Sequence, residues 1–343
     1  MSPARLRRVS CDTPGIARVR RGRGFAYLWP DGTPVRDPEV VQRIKDLAVP
    51  PAWTQVWVCR RANGHLQAVG TDAKGRRQYL YHAAWREQRD RDKHERVLRV
   101  ARRLPAAREV VAAHLAQRGP TRDRGLACTF RLLDLGFFRV GGEDYAEENG
   151  TFGLSTLRRE HVRVGARGRL TFDYVAKSGV ERSVGLHDPA AHAVVAALAR
   201  GLAPSDHLFR YRVGRRWHDV TSTDVNDYVR ERLGDATAKD FRTWHATVLA
   251  AVALAVSTNV LGSPTARHRA VVRAMKEVSG YLGNTPAVCR ASYVDPRVVD
   301  LFHDGRTIAP ALTRIGEGAA PDAPATQGAV ERAVLRLLAR PAG

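Results

Sequence analysis

At Asp188-Pro189, Ser263-Pro264 and Thr285-Pro286 a helix-capping residue is followed directly by proline. Proline has no N–H to lose and its fixed φ suits the first helical turn, while an Asp, Ser or Thr side chain accepts from the N–H groups that the turn leaves unpaired. A chain punctuated in this way is committed to helices over its second half. Asp295-Pro296 ends the helix begun at Thr285 or starts the next one. Apolar periodicity predicts helices over 106–118, 122–136, 188–201, 222–234, 239–257, 263–282 and 285–302.

The first quarter of the chain has the other period. Residues 1–23 are basic and lack apolar periodicity, which predicts a partly ordered arm. Strands are expected at Phe25 to Trp29, at Thr54 to Arg60 and at His65 to Gly70, with a short helix from Pro38 to Leu47 and a turn at Asn63-Gly64. From Thr71 a turn feeds a strand in which cations, Gln78, Tyr79 and Tyr81 alternate. That mixture suits a groove lining, because cations meet phosphates and an amide can bond base edges. Trp85 to Arg103 is charged and helical in period, and is read as the connector into a second domain. Within the helical part, 160–187 reads as a hairpin-like block with Lys177-Ser178-Gly179 at its turn. Residues 316–328, rich in Ala, Gly and Pro, read as a linker before a last amphipathic helix at Ala329 to Arg340. A chain of 343 residues suits two domains. The expected fold is α+β: a small β-rich N-terminal domain (1–85), a larger mainly α-helical catalytic domain with a small hairpin sheet (86–315), and a linker with a C-terminal helix (316–343).

Charge narrows the function. Lys+Arg number 56 against 35 Asp+Glu, a formal +21, and such an excess implies a polyanionic partner, most often nucleic acid. Only six of the cations are lysine: Lys45, Lys74, Lys93, Lys177, Lys239 and Lys276. Where arginine serves almost everywhere else, a lysine is a candidate for proton transfer, which a guanidinium of pKa above about 12 does not readily perform. The four cysteines are scattered without a C-x-x-C pair, so neither a zinc site nor a disulfide framework is expected. The longest apolar run, Val248 to Val256, is too short to span a bilayer, and the N-terminus lacks the apolar core of a signal peptide. The chain is expected in the cytoplasm with the nucleoid, as a monomer. Arginine usage and abundant alanine point to a GC-rich bacterial genome.

Four places then stand out. Arg139 follows a helix and opens a Gly-rich turn, and Lys177 sits at the hairpin turn. Lys239 and Arg242 share one face of a helix start, and Tyr293 lies late on the short helix begun at Thr285. His245, three residues after Arg242, is read as packing. These segments resemble the type IB DNA topoisomerases, specifically the compact poxvirus-type enzymes and their bacterial relatives, over nearly the whole chain. The resemblance is carried by the R-V-G-x-x-x-Y-x-x-E-N-G-T run from Arg139, K-S-G at Lys177, K-D-x-R-T ending near Arg242, G-x-T-P…Y from Gly283 to Tyr293, and K-G-R-x-Q-Y-x-Y from Lys74 to Tyr81.

The resemblance implies that Tyr293 attacks a backbone phosphodiester to give a 3′-phosphotyrosyl enzyme. Arg139 and Arg242 would hold the non-bridging oxygens, and Lys177 would protonate the departing 5′ oxygen. Asn284 stands where the family often has histidine; its NH₂ can donate to a phosphate oxygen but supplies no protonic charge. Lys239 falls where the related tyrosine recombinases carry histidine and would assist phosphate binding, while Gln78, Tyr79, Tyr81 and Tyr145 align with positions that touch DNA. The implied partner is double-stranded DNA, enclosed by the two domains as a clamp. No ATP is expected, since the phosphotyrosine retains the bond energy, and no metal or other cofactor, since no carboxylate cluster suggests one. Two alternatives remain: a site-specific tyrosine recombinase, and a non-catalytic basic DNA-binding protein. Lys239, the β-rich leading domain and the E-N-G-T run favour the topoisomerase.

Overall fold

The computed structural model describes residues 5–143, 146, 150–257, 263–316 and 327–339. The chain forms two compact units, residues 1–93 and 94–343. In the first, strands β1 (Ile16–Arg21), β2 (Gly24–Leu28), β3 (Thr54–Val58), β4 (Leu66–Thr71) and β5 (Arg77–Tyr81) form an antiparallel sheet of order β2-β1-β3-β4-β5. Helix α1 (Pro38–Asp46), capped by Asp37, contributes Ile44 to a core with Ile16, Val56, Val58 and Ala68. The arm expected over residues 1–23 is therefore corrected, because its second half is an interior strand. Ile16 is its buried anchor, and Arg18 is spent on backbone carbonyls of Val49, Pro50 and Trp53.

Helix α2 (Ala83–Leu115) runs without interruption through Pro105, where a connector and a separate helix were expected. Proline removes one i→i−4 hydrogen bond, but Val97, Leu98, Ala101 and Leu104 before it and Ala107, Val111 and Leu115 after it are all buried. Packing of one continuous apolar face outweighs the local break.

In the second unit, α3 (Arg122–Gly136) is followed by an antiparallel sheet of β6 (Val162–Val164), β7 (Arg169–Ala176) and β8 (Val180–His187), in the order β6-β7-β8. Next come α4 (Pro189–Leu198), a hairpin β9 (Arg210–Val213) and β10 (Arg216–Asp219) that periodicity did not anticipate, and α5 (Ser222–Leu233). Then follow α6 (Ala238–Ala255), α7 (Pro264–Leu282), α8 (Pro286–Ser292), α9 (Pro296–His303), α10 (Ala309–Gly316) and α11 (Ala329–Ala339). The helical span 285–302 is two helices, with the break at Asp295-Pro296, where that pair was expected to end one helix or start the next. Among the described residues no helix is long and apolar enough to cross a membrane.

Helix α6 is the hub. Its residues Phe241 through Val248 are all buried, and Phe241 meets Phe130 of α3 edge to face at 5.0 Å. Beneath it lies a buried polar network. Glu331 of α11 accepts from Trp244 Nε1 at 2.8 Å and from Arg108 Nη1 at 2.6 Å, and Arg108 also forks onto Asp134 at 2.8 Å through Nε and Nη2. His245 Nε2 stands 3.5 Å from Asp134, so it packs into this network. Burial alone would push the Asp134 carboxyl up, but hydrogen bonds and charge from Arg108 and His245 outweigh it and hold it below the carboxylate range. The last helix is thus bolted to the hub through Glu331. Removing one partner of a buried pair costs about 3–5 kcal/mol. Glu331→Gln should therefore lower the calorimetric transition of this unit by about 6–20 °C, at roughly 2–4 °C per kcal/mol for a unit of this size. An unchanged transition would mean that α11 is not part of the cooperative core.

Candidate active site

The end of a helix leaves carbonyls without partners, and the site is built on the end of α7. Gly283, at φ +62°, reverses the chain there: its N–H bonds Gly280 O at 3.3 Å and that of Asn284 bonds Ser279 O at 3.2 Å, a Schellman arrangement. A Cβ at Gly283 would also stand 2.7 Å from Arg182 Nη1, so a larger residue would have to push that guanidinium aside. The remaining carbonyls face two guanidiniums. Arg182 of β8 donates to Gly280 O at 3.1 Å and Tyr281 O at 2.6 Å, and Arg242 of α6 donates to Leu282 O at 2.8 Å. The negative end of a helix dipole favours cations at this place.

Arg242 is 3% exposed. Its second anchor is Phe137 O, which follows α3 and is turned inward by a left-handed backbone at φ 56°. Among the described residues no carboxylate forms an ion pair with it; its acceptors are neutral carbonyls, and its Nε is buried without a partner. Burial, then the charge of Arg139, push the guanidinium down to about 10, which leaves it protonated at neutral pH.

Tyr293 caps the C-terminus of α8 and is half-buried, with its ring 5.2 Å from Arg242 Cζ. The segment is pinned by Thr247 of α6, whose Oγ1 donates to Thr243 O at 2.8 Å and accepts from Asp295 N at 3.1 Å. Burial raises the phenol, but Arg242, by charge and as a donor, together with the charge of Arg139 and the Asn284 amide, outweighs burial and brings it below the ordinary tyrosine value. Asn284 accepts from Arg139 Nη2 at 2.7 Å. Its own Nδ2 is buried and has no hydrogen-bond acceptor among the described residues.

Arg139, Arg242, Asn284 and Tyr293 are thus brought together. Arg139 is held by backbone pairing of its segment with the chain after Gly153, through Leu154 N to Arg139 O at 2.8 Å and Ser155 N to Val140 O at 2.7 Å. A Cβ on Gly153 would lie 2.4 Å from Gly141 Cα, so the two glycines permit that crossing. Lys177 stands exposed in the turn between β7 and β8, where Ser178 and Gly179 both have positive φ. Lys239 is exposed in the first turn of α6. Tyr145 lies outside the described residues. In the first unit, Tyr79 and Tyr81 share the exposed face of edge strand β5 with stacked rings 6.3 Å apart. Gln78 takes the alternate face and donates to Asp72 Oδ2 at 3.0 Å. The sequence reading missed Arg182 and Gly153. Arg182 is one arginine among many, and Gly153 is marked only by its place two residues beyond the E-N-G-T run.

Comparison with known proteins bears on the chemistry. Residues 82–301 match the family model for the catalytic core of eukaryotic DNA topoisomerase I, and residues 24–72 match that for the N-terminal domain of bacterial DNA topoisomerase IB. DNA topoisomerase 1B of Acanthamoeba polyphaga mimivirus is 29% identical over 301 residues, covering 84% of this chain and 88% of the viral protein. DNA topoisomerase 1B of Vaccinia virus (strain Copenhagen) is 21% identical over 270 residues, 78% of this chain and 82% of its own. A segment of 162 residues is 23% identical to DNA topoisomerase 1 beta of Arabidopsis thaliana, covering 47% of this chain and 17% of the plant protein. With its helical unit matched over the catalytic core and its sheet unit over the bacterial N-terminal domain, the chain belongs to the type IB DNA topoisomerase family.

Proposed function

We propose that the chain relaxes supercoiled duplex DNA by opening and resealing one strand through Tyr293, without ATP or a required metal. The observation that carries this reading is the surplus of fixed positive charge beside a phenol. Arg242 is buried on neutral carbonyls, and Arg139 is tied to the amide oxygen of Asn284. A phosphodiester under attack gains charge on its non-bridging oxygens, and donors already fixed there need no reorganisation. Arg139, Arg242 and the unspent Nδ2 of Asn284 are the donors for those oxygens. Asn284 thus does the work of a neutral donor where the family often has a cationic one.

In the forward step Tyr293 Oη forms a bond to phosphorus and the P–O5′ bond breaks. The proton for the 5′ oxygen comes from Lys177, and resealing runs the same step backwards, with the 5′ hydroxyl returning its proton to Lys177. The lowered phenol increases the phenolate fraction, which for an ordinary tyrosine is about 0.1% at pH 7. Lys239 assists phosphate binding. Gln78, Tyr79, Tyr81 and Tyr145 contact duplex DNA, which the two units enclose as a monomeric clamp in the nucleoid.

The primary test is relaxation of negatively supercoiled plasmid in EDTA without ATP. The wild-type chain should relax it, while Tyr293→Phe should bind but not relax it; relaxation by the variant would remove Tyr293 from the role. Arg139→Ala should slow single-turnover cleavage by about 10²–10³-fold, and an effect under twofold would place the phosphate elsewhere. Alkaline difference titration of wild type against Tyr293→Phe should put the phenol midpoint below the usual value of about 10. The midpoint should rise in Arg139→Ala, and one above the usual value in wild type would contradict the electrostatics. Duplex affinity should fall with salt at a log–log slope of about −0.9 per phosphate contacted, and a flat response would sink the clamp.

A further inference from the structure

We infer that Arg182 is a positioning residue that places Lys177 relative to Tyr293, an inference that rests on the general-acid reading of Lys177. The outer end of the hairpin that carries Lys177 is exposed to solvent. Val175 and Val180 are exposed, and residues 177–181 are exposed throughout. β8 is the edge strand of its sheet. Toward α7 it faces a cavity of about 510 Å³ rather than a packed interface, lined by Leu135, Phe137, Arg182, Val184, Leu186 and Tyr281 among others.

Arg182 crosses that gap. It stands directly opposite Tyr174 on β7, and its guanidinium forks onto Gly280 O and Tyr281 O at 3.1 and 2.6 Å. Those carbonyls belong to the last turn of α7, which passes through Gly283 and Asn284 into the cap of α8 and so to Tyr293. One side chain therefore links the strand after the acid to the helix before the nucleophile. Fork geometry matters here. A planar guanidinium meets two adjacent carbonyls at once and fixes an orientation, which an ammonium at the end of a flexible stem does not. A further tether of the hairpin, Phe152 N to Val175 O at 2.7 Å, is on β7 and fixes a different edge.

Leaving-group chemistry separates positioning of the acid from every other role. A 5′ oxygen needs a proton as it departs, but a 5′ thiolate leaves without one, since a thiol of pKa near 8.5 is a far stronger acid than an alcohol. The experiment is single-turnover cleavage of a duplex whose cleavage site has been mapped with the wild-type chain. One version carries the normal 5′ oxygen and the other a bridging 5′ sulfur at that phosphate. Arg182→Ala and Arg182→Lys should both cleave the oxygen substrate about 10–100-fold slower than wild type, the scale of a misplacement of about 1 Å. Both should return to within about threefold of wild type on the sulfur substrate, as expected when only the proton-transfer step is impaired.

Lys177→Ala is the control. If sulfur does not rescue it, the general-acid reading itself is wrong and the inference falls with it. If sulfur rescues Lys177→Ala but leaves Arg182→Lys slow, Arg182 serves the phosphate or the nucleophile and the inference alone is overturned. A variant that misfolds is slow on both substrates, and the lysine variant, which retains the charge and the stem, then decides. Wild-type rates in both Arg182 variants on the oxygen substrate would also overturn it.

Discussion

The site depends on one buried cation held by backbone dipoles. Taking the Arg242 charge out of water is costly unless it is hydrogen-bonded, and the two carbonyls that receive it come from the ends of different helices. Leu282 O is exposed by the Schellman end of α7, and Phe137 O by the left-handed turn after α3. Loss of either turn would orphan the guanidinium, so the geometry of the helix ends and the charge of the site are a single requirement. Because α6 is buried nearly all round, the guanidinium cannot escape to solvent by moving its own helix. The Tyr293 ring then lies against a cation whose position is fixed from three sides.

That arrangement was legible in part. The capping residues followed by proline announced α4, α7 and α8, and Pro296 marked the break before α9. Arg139, Arg242, Asn284 and Tyr293 were named from the resemblance to the type IB enzymes, and the fold brings the four together. What could not be read was the set of contacts that hold them. Arg182 carries no local signal, because its meaning comes from two carbonyls 98 and 99 residues away. Interior strand β1 was hidden by Arg18, Arg20 and Arg21, of which Arg18 is absorbed by backbone carbonyls of Val49, Pro50 and Trp53. The persistence of α2 through Pro105 was equally invisible, since proline is a local veto and the packing that overrides it is tertiary.

The polar network beneath α6 answers a different need. A helix that must hold a cation in place gains from side chains that have one arrangement, and hydrogen bonds from Trp244 and Arg108 to Glu331 supply directionality that apolar packing lacks. The C-terminal helix, amphipathic and distant in sequence, enters the core by this route and not only by its apolar face of Val330, Ala333, Val334 and Leu338.

The carboxylates are distributed with equal consistency. Asp134, Asp240, Asp295 and Glu331 are buried, and each is committed to an arginine behind the site: Asp134 and Glu331 to Arg108, Asp240 to Arg96, Asp295 to Arg297. Asp240 is only two residues from Arg242, yet its oxygens serve Thr237 at the start of α6 and Arg96. Arg139, Arg182 and Arg242, by contrast, donate to amide and backbone carbonyl oxygens. The difference is physical. A carboxylate would fix an arginine more strongly, but on the proposed mechanism it would cancel the charge offered to an incoming phosphate, which would then have to displace a buried ion pair. A neutral carbonyl holds the geometry and leaves the charge unspent. Pairing arginines with acids behind the site and with dipoles within it allows one chain to be rigid at its centre and still attractive to a polyanion.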